Sequence, residues 1–471
     1  MIEYVNKSYR IPLLTVVVSL IFYWTFAYQL DRTDFPRLFG LVAALFFFAY
    51  VLIKFDRINL WLLIIAGILF RLLLFPAIPN LSQDFYRFLW DGRLLIQGIN
   101  PYLITPEAYL NAGNEVVPQA RELYEGMGAL NGSHFSNYPP INQLCFAIAA
   151  LFAKHSILGS VMVLKSILIA ADIGILYFGR KLLAKMKLPV NNIFWYFLNP
   201  FVIIELTGNL HFEGVMLFFL VWSLYLLTQG KWFWAAVLFG ISISVKLLPL
   251  LLLPLLFKWF FKKEVPTATA NKISFWRALN LTSSIKFYLV VIGTVLLTFA
   301  PFLSSEFVSN FAATISLWFQ NFEFNASVYY VIRWIGFQTV GWNIIETVGK
   351  ILPMVVVLFI LGMSFFRKNQ GAIQLITAML FCVSVYFLLS TTVHPWYIAT
   401  PLLLAVFTNY KFPILWSLAV MLSYSAYGVS GFEENLWLVA LEYTLVICFA
   451  LWELRKRHKI DLALQKGLLL P

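Results

Sequence analysis

Ser82-Gln-Asp-Phe-Tyr-Arg-Phe-Leu-Trp-Asp-Gly-Arg93 puts two acids, Asp84 and Asp91, and two arginines, Arg87 and Arg93, just after the hydrophobic run 59–78. The rest of the chain is greasy. Of its 471 residues 61% are hydrophobic and 12% charged, with a mean hydropathy of +0.81. That composition excludes an ordinary soluble domain and asks for a bilayer as solvent. Carboxylates at the lip of a bilayer are costly, so their presence points to work for them.

Working outward, apolar runs predict helices over 11–30, 37–53, 59–78, 160–179, 192–208, 213–229, 232–247, 248–261, 287–303, 349–366, 372–391, 396–409, 412–428 and 436–453. The expected fold class is therefore all-α, a polytopic transmembrane bundle of about 13–14 spans. The first run, Ile11 to Leu30, is long for a signal-peptide core. It is followed by Asp31-Arg32-Thr33-Asp34 rather than a cleavage pattern, and reads as a retained helix. The expected organisation is a single membrane domain over 1–471, capped by two long outer loops at 79–158 and 304–348. Loops of that length, rich in aromatic and polar residues, are usually functional.

The net charge of +12 fits basic cytoplasmic loops and does not call for a nucleic-acid partner. With the N-terminus inside, alternation places about 23 of the 34 Lys and Arg residues on the cytoplasmic side. They include Lys54, Arg57, Arg180, Lys185, Lys231, Lys262, Lys263, Lys272, Arg277, Arg367, Lys411 and the tail Arg455-Lys-Arg-His-Lys459 with Lys466. This requires that 141–155 not cross, so that stretch reads as a helix on, or dipping into, the outer face. The expected location is a bacterial inner membrane, with both termini cytoplasmic and the site periplasmic. The three cysteines, Cys145, Cys382 and Cys448, all lie in apolar runs and give neither a disulfide framework nor a zinc site.

Under this topology polar groups from distant parts of the chain converge on one side. They are Asp84, Arg87, Asp91 and Arg93, then Tyr138, then His211 and Glu213. Lys246, Arg333 and His394-Pro-Trp396-Tyr397 follow. If 82–93 is helical, Asp84 and Asp91 share a face two turns apart. The alternative is that both carboxylates only pair with Arg87 and Arg93. Lys246 could bind phosphate or snorkel at a helix end; Arg333 has the same two readings. His211 and Glu213, two residues apart, face different ways on a helix and do not make a metal-ligand pair. They could contact a sugar or only finish a helix. Trp396 and Tyr397 could wall a sugar site or anchor the interface. Arg71, Lys165, Asp172 and Glu442 fall inside expected spans, where a Lys165–Asp172 pair is the structural reading and an ion or substrate path the functional one. Asn131-Gly-Ser and Asn325-Ala-Ser match glycosylation acceptors, a short pattern. No Gly-rich phosphate loop, serine elbow or HExxH helix is present.

These residues resemble a known superfamily. Asp84-Phe-Tyr-Arg-Phe-Leu-Trp-Asp-Gly-Arg93, Gly98-Ile-Asn-Pro-Tyr102 and Asn137-Tyr-Pro-Pro-Ile-Asn142 look like the first outer loop of GT-C glycosyltransferases. The nearest likeness is to bacterial polyprenyl-phosphate-mannose-dependent mannosyltransferases, with a looser one to the first mannosyltransferase of GPI-anchor synthesis. Asn199-Pro, Gly208-Asn209, the Lys246 helix and Asn325-Ala-Ser-Val-Tyr-Tyr330 extend the likeness over about 60–400. The resemblance implies an outward catalytic acid, and Asp84 occupies the matching place. Gln83 and Phe85 flank it, so the family's paired-acid pattern is not reproduced cleanly, and Asp91 stays open as the second catalytic candidate.

The chemistry so implied is transfer of one sugar, with a lean to mannose, from a polyprenyl-phosphate donor. The acceptor hydroxyl belongs to a glycolipid, glycan or protein. Phosphate is a good leaving group, so a carboxylate base suffices and attack from the opposite face inverts the anomeric centre. Cations, here Lys246, Arg87, Arg93 and Arg333, would take the departing phosphate. Tyr138, His211, Glu213, His394, Trp396 and Tyr397 are the candidates for sugar or acceptor contacts. No cofactor is expected; ligand spacing does not support a divalent metal. The competing readings are a lipid-linked-sugar flippase or secondary transporter, and an oligosaccharide ligase or polymerase of the same superfamily.

Overall fold

A computed structural model of the chain describes residues 2–55, 59–114, 116–261, 280–320 and 322–465. The basic residues expected inside at 57, 262, 263, 272, 277 and 466 lie outside these. Among the described residues all regular structure is helical apart from a two-residue ladder that pairs Tyr427–Gly428 with Gly431–Phe432.

Helix α1 (Ile2–Gln29) packs on α2 (Phe35–Phe55) and on α3 (Leu60–Leu74). Four helices, α4 (Asp84–Ile96), α5 (Pro106–Asn111), α6 (Ala120–Gly132) and α7 (Pro140–Ala153), fill most of the stretch read from sequence as the first outer loop. Helix α8 (Ile157–Lys185) follows, then the single turn α9 (Phe194–Phe197) and a π-helical turn, Val202–Gly208. Helices α10 (Glu213–Thr228) and α11 (Trp232–Val245) complete this half, with α10 packed between α8 and α11. The remainder comprises the 3-10 helix Leu248–Phe260 and the helices Leu281–Phe299, Ser305–Gln320, Val328–Thr339, Ile345–Phe365, Ala372–Leu389, Ala399–Val406, Phe412–Ala419 and Leu436–Gln465.

Among the described residues seven helical segments are long and apolar enough to cross a bilayer, from Arg10–Gln29 to Leu436–Lys459. The pair Val202–Gly208 and Glu213–Thr228, bent by 109°, makes an eighth if it is one span. Other apolar runs form shorter helices such as Leu60–Leu74, Trp232–Val245 and Phe412–Ala426. The expected total of 13–14 counted these runs as spans. At about 1.5 Å per residue, a 14-residue helix covers about 21 Å of a roughly 30 Å hydrocarbon core. Helix Leu281–Phe299 turns most of its surface outward, with Leu297 76% exposed, as a lipid-facing span does.

Among the described residues the charged groups inside the bundle each have protein partners. Arg71 on α3 gives Nε to Asp172 on α8 at 2.8 Å and Nη1 to the carbonyls of Gly67 and Phe197 at 2.9 Å each. Lys165 on α8 donates to the carbonyls of Leu74 and Ala77, at 2.7 Å each. Leu74 is the last residue of α3, and Ala77 lies in the turn beyond it. The Lys165–Asp172 pair suggested by spacing is therefore not formed: each group has a better partner on another segment. Glu442 accepts from Trp416 Nε1 at 3.0 Å and Asn325 Nδ2 at 3.4 Å.

The chain's alternation sorts the two ends of the bundle. The ends of α1, α3 and α11 and the start of α10 lie at one end. Lys54, Arg180, Lys185, Lys231 and Arg367 lie at the other, at the opposite ends of their helices.

Candidate active site

Asp84 opens the first turn of α4. The preceding segment, Ala77 to Gln83, is fixed from several sides, so the position of this carboxylate is not left to a free loop. Asn80 Nδ2 donates to the Phe26 carbonyl at 2.8 Å, and Leu81 N donates to Asn209 Oδ1 at 2.9 Å. Gln83 Nε2 reaches the Met127 carbonyl at 3.0 Å. Gly92 then lets α4 settle on α7: a Cβ there would lie 2.2 Å from the Phe146 carbonyl oxygen. Only glycine permits that backbone approach.

The half-buried Asp84 faces a cavity of about 990 Å³. Burial is the main reason its carboxyl is pushed up to about 6. Glu213 adds to the rise, while Lys246, a hydrogen bond from Asn131, and Arg32 oppose it. Such a carboxylate ionises near neutrality and retains enough basicity to take a proton.

Lys246 caps the end of α11 and forms an ion pair with Glu213 at the start of α10. Its ammonium also lies 5.9 Å from the centre of the Tyr397 ring. The second oxygen of Glu213 is buried without a partner. Between the π-helical turn and α10 the chain turns sharply at Leu210, whose φ of 63° is left-handed. For an apolar residue this costs on the order of 1–3 kcal/mol, and complete burial of the Leu210 side chain holds it. The turn swings His211 and Glu213 to the same cavity, which their two-residue spacing on a regular helix would have forbidden. His211 stacks on Trp396 at 3.7 Å between ring centres, and His394 lies parallel to the same indole at 4.5 Å. Burial, aided by Lys246, holds the His394 imidazole down at about 3, so it is neutral and can accept a hydrogen bond.

Nine of the twelve residues singled out from the sequence line this cavity: Asp84, Arg87, Tyr138, His211, Glu213 and Lys246, with His394, Trp396 and Tyr397. Asp91, Arg93 and Arg333 do not. Asp91 is fully buried and accepts from Arg87 Nε at 2.8 Å, Ser136 Oγ at 2.5 Å and Gln143 Nε2 at 2.9 Å. Arg93 is spent on the Pro118 carbonyl and on Gln119 Oε1. Arg333 pairs with Glu323 at 2.5 Å, and it is Glu323 that reaches the cavity. Arg87 lines the wall while bonding Asp91 and the carbonyls of Asn131 and His134. Trp396 lines the cavity with the His211 and His394 rings parallel to its indole. The sequence reading missed Arg32, Asn131 and Glu323 as wall residues. For Arg32 a signal existed: it follows the first span directly, at the same end of the bundle as Asp84. Among the described residues no three His, Cys, Asp or Glu side chains gather as a metal site.

A family model described as alpha-(1->6)-mannopyranosyltransferase, N-terminal domain, matches residues 37–262. Over that stretch the chain, a polytopic helical membrane protein, resembles bacterial mannosyltransferases. The matched stretch contains Asp84, Asp91, His211, Glu213 and Lys246. A curated relative, alpha-(1->6)-mannopyranosyltransferase A of Mycobacterium tuberculosis (strain ATCC 25618 / H37Rv), is 20% identical over 332 residues. That match covers 70% of this chain and 62% of the relative, less than two thirds of the relative's length.

Proposed function

We propose that the chain is a membrane glycosyltransferase that moves one sugar, mannose by its resemblance, from a polyprenyl-phosphate donor to an acceptor hydroxyl. The observation that carries this reading is the Asp84 carboxylate, poised at about 6 on the wall of a cavity of about 990 Å³ that also holds the Lys246–Glu213 pair. A cavity of this size is ample for a glycosyl phosphate together with part of an acceptor.

In this reading Asp84 takes the proton of the acceptor hydroxyl as its oxygen attacks the anomeric carbon. The bond to the phosphate oxygen breaks on the opposite face, the electron pair leaves with polyprenyl phosphate, and the configuration inverts. Cationic side chains stabilise the charge that gathers on the leaving phosphate. Glu213 keeps the Lys246 ammonium aimed across the cavity, and neutral His394 is an acceptor for a sugar hydroxyl. The cluster of basic residues at the far end of the bundle supports an outward-facing site, with the basic end in the cytoplasm. That Arg71, Lys165, Asp172 and Glu442 each have protein partners favours the transferase reading over a flippase or transporter.

The test is sugar transfer by the purified protein in lipid nanodiscs, with labelled polyprenyl-phosphate-mannose and delipidated-membrane acceptors. Label passing to a new product with wild type and not with Asp84→Asn is the expected result. Equal transfer by both proteins would remove Asp84 as the base. A donor that is bound but flipped between leaflets, with no new glycoside formed, would replace the transferase by the flippase.

A further inference from the structure

Charge accounting around the cavity leaves two groups over. Lys246 is paired with Glu213, Arg87 with Asp91, and Glu323 with Arg333. Among the described residues the cavity wall then holds one acid and one guanidinium outside any ion pair: Asp84 and Arg32. Arg32 comes from the short turn between α1 and α2, and the stretch matched to the family begins only at residue 37.

Arg32 is held ready. Its Nη1 donates to the Leu81 carbonyl at 2.9 Å, and its guanidinium lies over the Tyr427 ring at 4.1 Å from the centre. The end of α1 is itself tied to the Asp84 segment, through Tyr28 Oη to the Leu73 carbonyl at 2.9 Å and Asn80 Nδ2 to the Phe26 carbonyl at 2.8 Å. The ring contact and the bond to Leu81 together hold the guanidinium in place. Among the described residues Nε and Nη2 have no protein partner, and the side chain lines the cavity. A fixed, planar fork of donors without a carboxylate is the arrangement that takes two oxygens of one phosphate.

We propose that Arg32, carried by the α1–α2 turn, is the anion-binding residue that grips the phosphate of a polyprenyl-phosphate ligand in the Asp84 cavity. This rests on the donor class proposed above. It reassigns the main phosphate contact from Lys246, which Glu213 already neutralises, to a residue outside the family-matched stretch. Gripping the phosphate from the turn beside Leu81 sets the donor relative to Asp84, three residues further on.

The experiment measures binding of polyprenyl phosphate, without sugar transfer, to full-length protein in nanodiscs of zwitterionic lipid. Wild type is expected to bind, and Arg32→Gln about tenfold more weakly, for loss of a charge-assisted bidentate contact. Inorganic phosphate at equal concentration is expected not to compete. On wild-type protein, phenylglyoxal modification of Arg32, read by mass spectrometry, is expected to be blocked by polyprenyl phosphate and not by uncharged polyprenol. This second readout needs no variant and holds even if Arg32→Gln fails to fold. Full binding by folded Arg32→Gln, or modification that polyprenyl phosphate does not block, overturns the assignment to Arg32 alone. Competition by inorganic phosphate overturns the lipid ligand in favour of a free-anion site. No binding by wild type overturns the donor class and the Arg32 assignment with it.

Discussion

The first and third turns of α4 carry the same chemical group to opposite ends. Asp84, in the first turn, faces open space and has no ion-pair partner, with its carboxyl raised to about 6. Asp91, seven residues on and on the same face, is sealed off and bound by Arg87, Ser136 and Gln143. What separates them is depth. Two turns, about 11 Å along the helix, carry Asp91 from the cavity wall into the joint between α4, the 133–139 loop and α7. An acid with all its acceptors occupied tightens a fold; one with room beside it can take a proton from something else.

The comparison breaks most sharply at Asp84. Asp84→Asn should lower transfer by about 10²–10⁴-fold, the usual contribution of a general base, with the thermal midpoint of the detergent-purified protein nearly unchanged. Asp91→Ala should do the reverse, because it strands Arg87 in the interior. Removing one partner of a buried pair costs roughly 3–5 kcal/mol, visible as a lower melting temperature and poorer yield. An Asp91→Ala protein that melts like wild type but is inactive would erase the distinction. The joint can be stressed without touching either charge: Gly92→Ala should cost on the order of 1–3 kcal/mol by overpacking α4 against α7, measured by the same melting curve.

The smallest effect is in the pH profile of transfer. A base works in its ionised form, so the rate at low substrate should rise with pH up to about 6 and level off above it. Below about 6 each further unit should cost close to tenfold. A profile flat from pH 4.5 to 7.5 would deny that a carboxylate of this kind governs the reaction.

Much of the cavity's membership was legible in the chain, because alternation of apolar runs fixes which polar residues share an end of the bundle. That logic brings Asp84, His211, Lys246 and His394 together across more than 300 residues of sequence. It could not show which acids are already occupied. Arg71 takes Asp172 in place of Lys165, and Ser136 and Gln143 close over Asp91, through contacts between segments far apart in the chain. Nor could it show that Leu210 turns the backbone left-handed and brings His211 and Glu213 to one wall.

The sequence by itself determined a helical membrane protein with its polar residues gathered at one end, because hydropathy and helical reach are local properties of the chain. The tertiary structure alone decided which carboxylate has space beside it, which cations are spoken for, and that a turn between the first two helices completes the cavity. Those are matters of depth and partner, set by packing across the whole bundle.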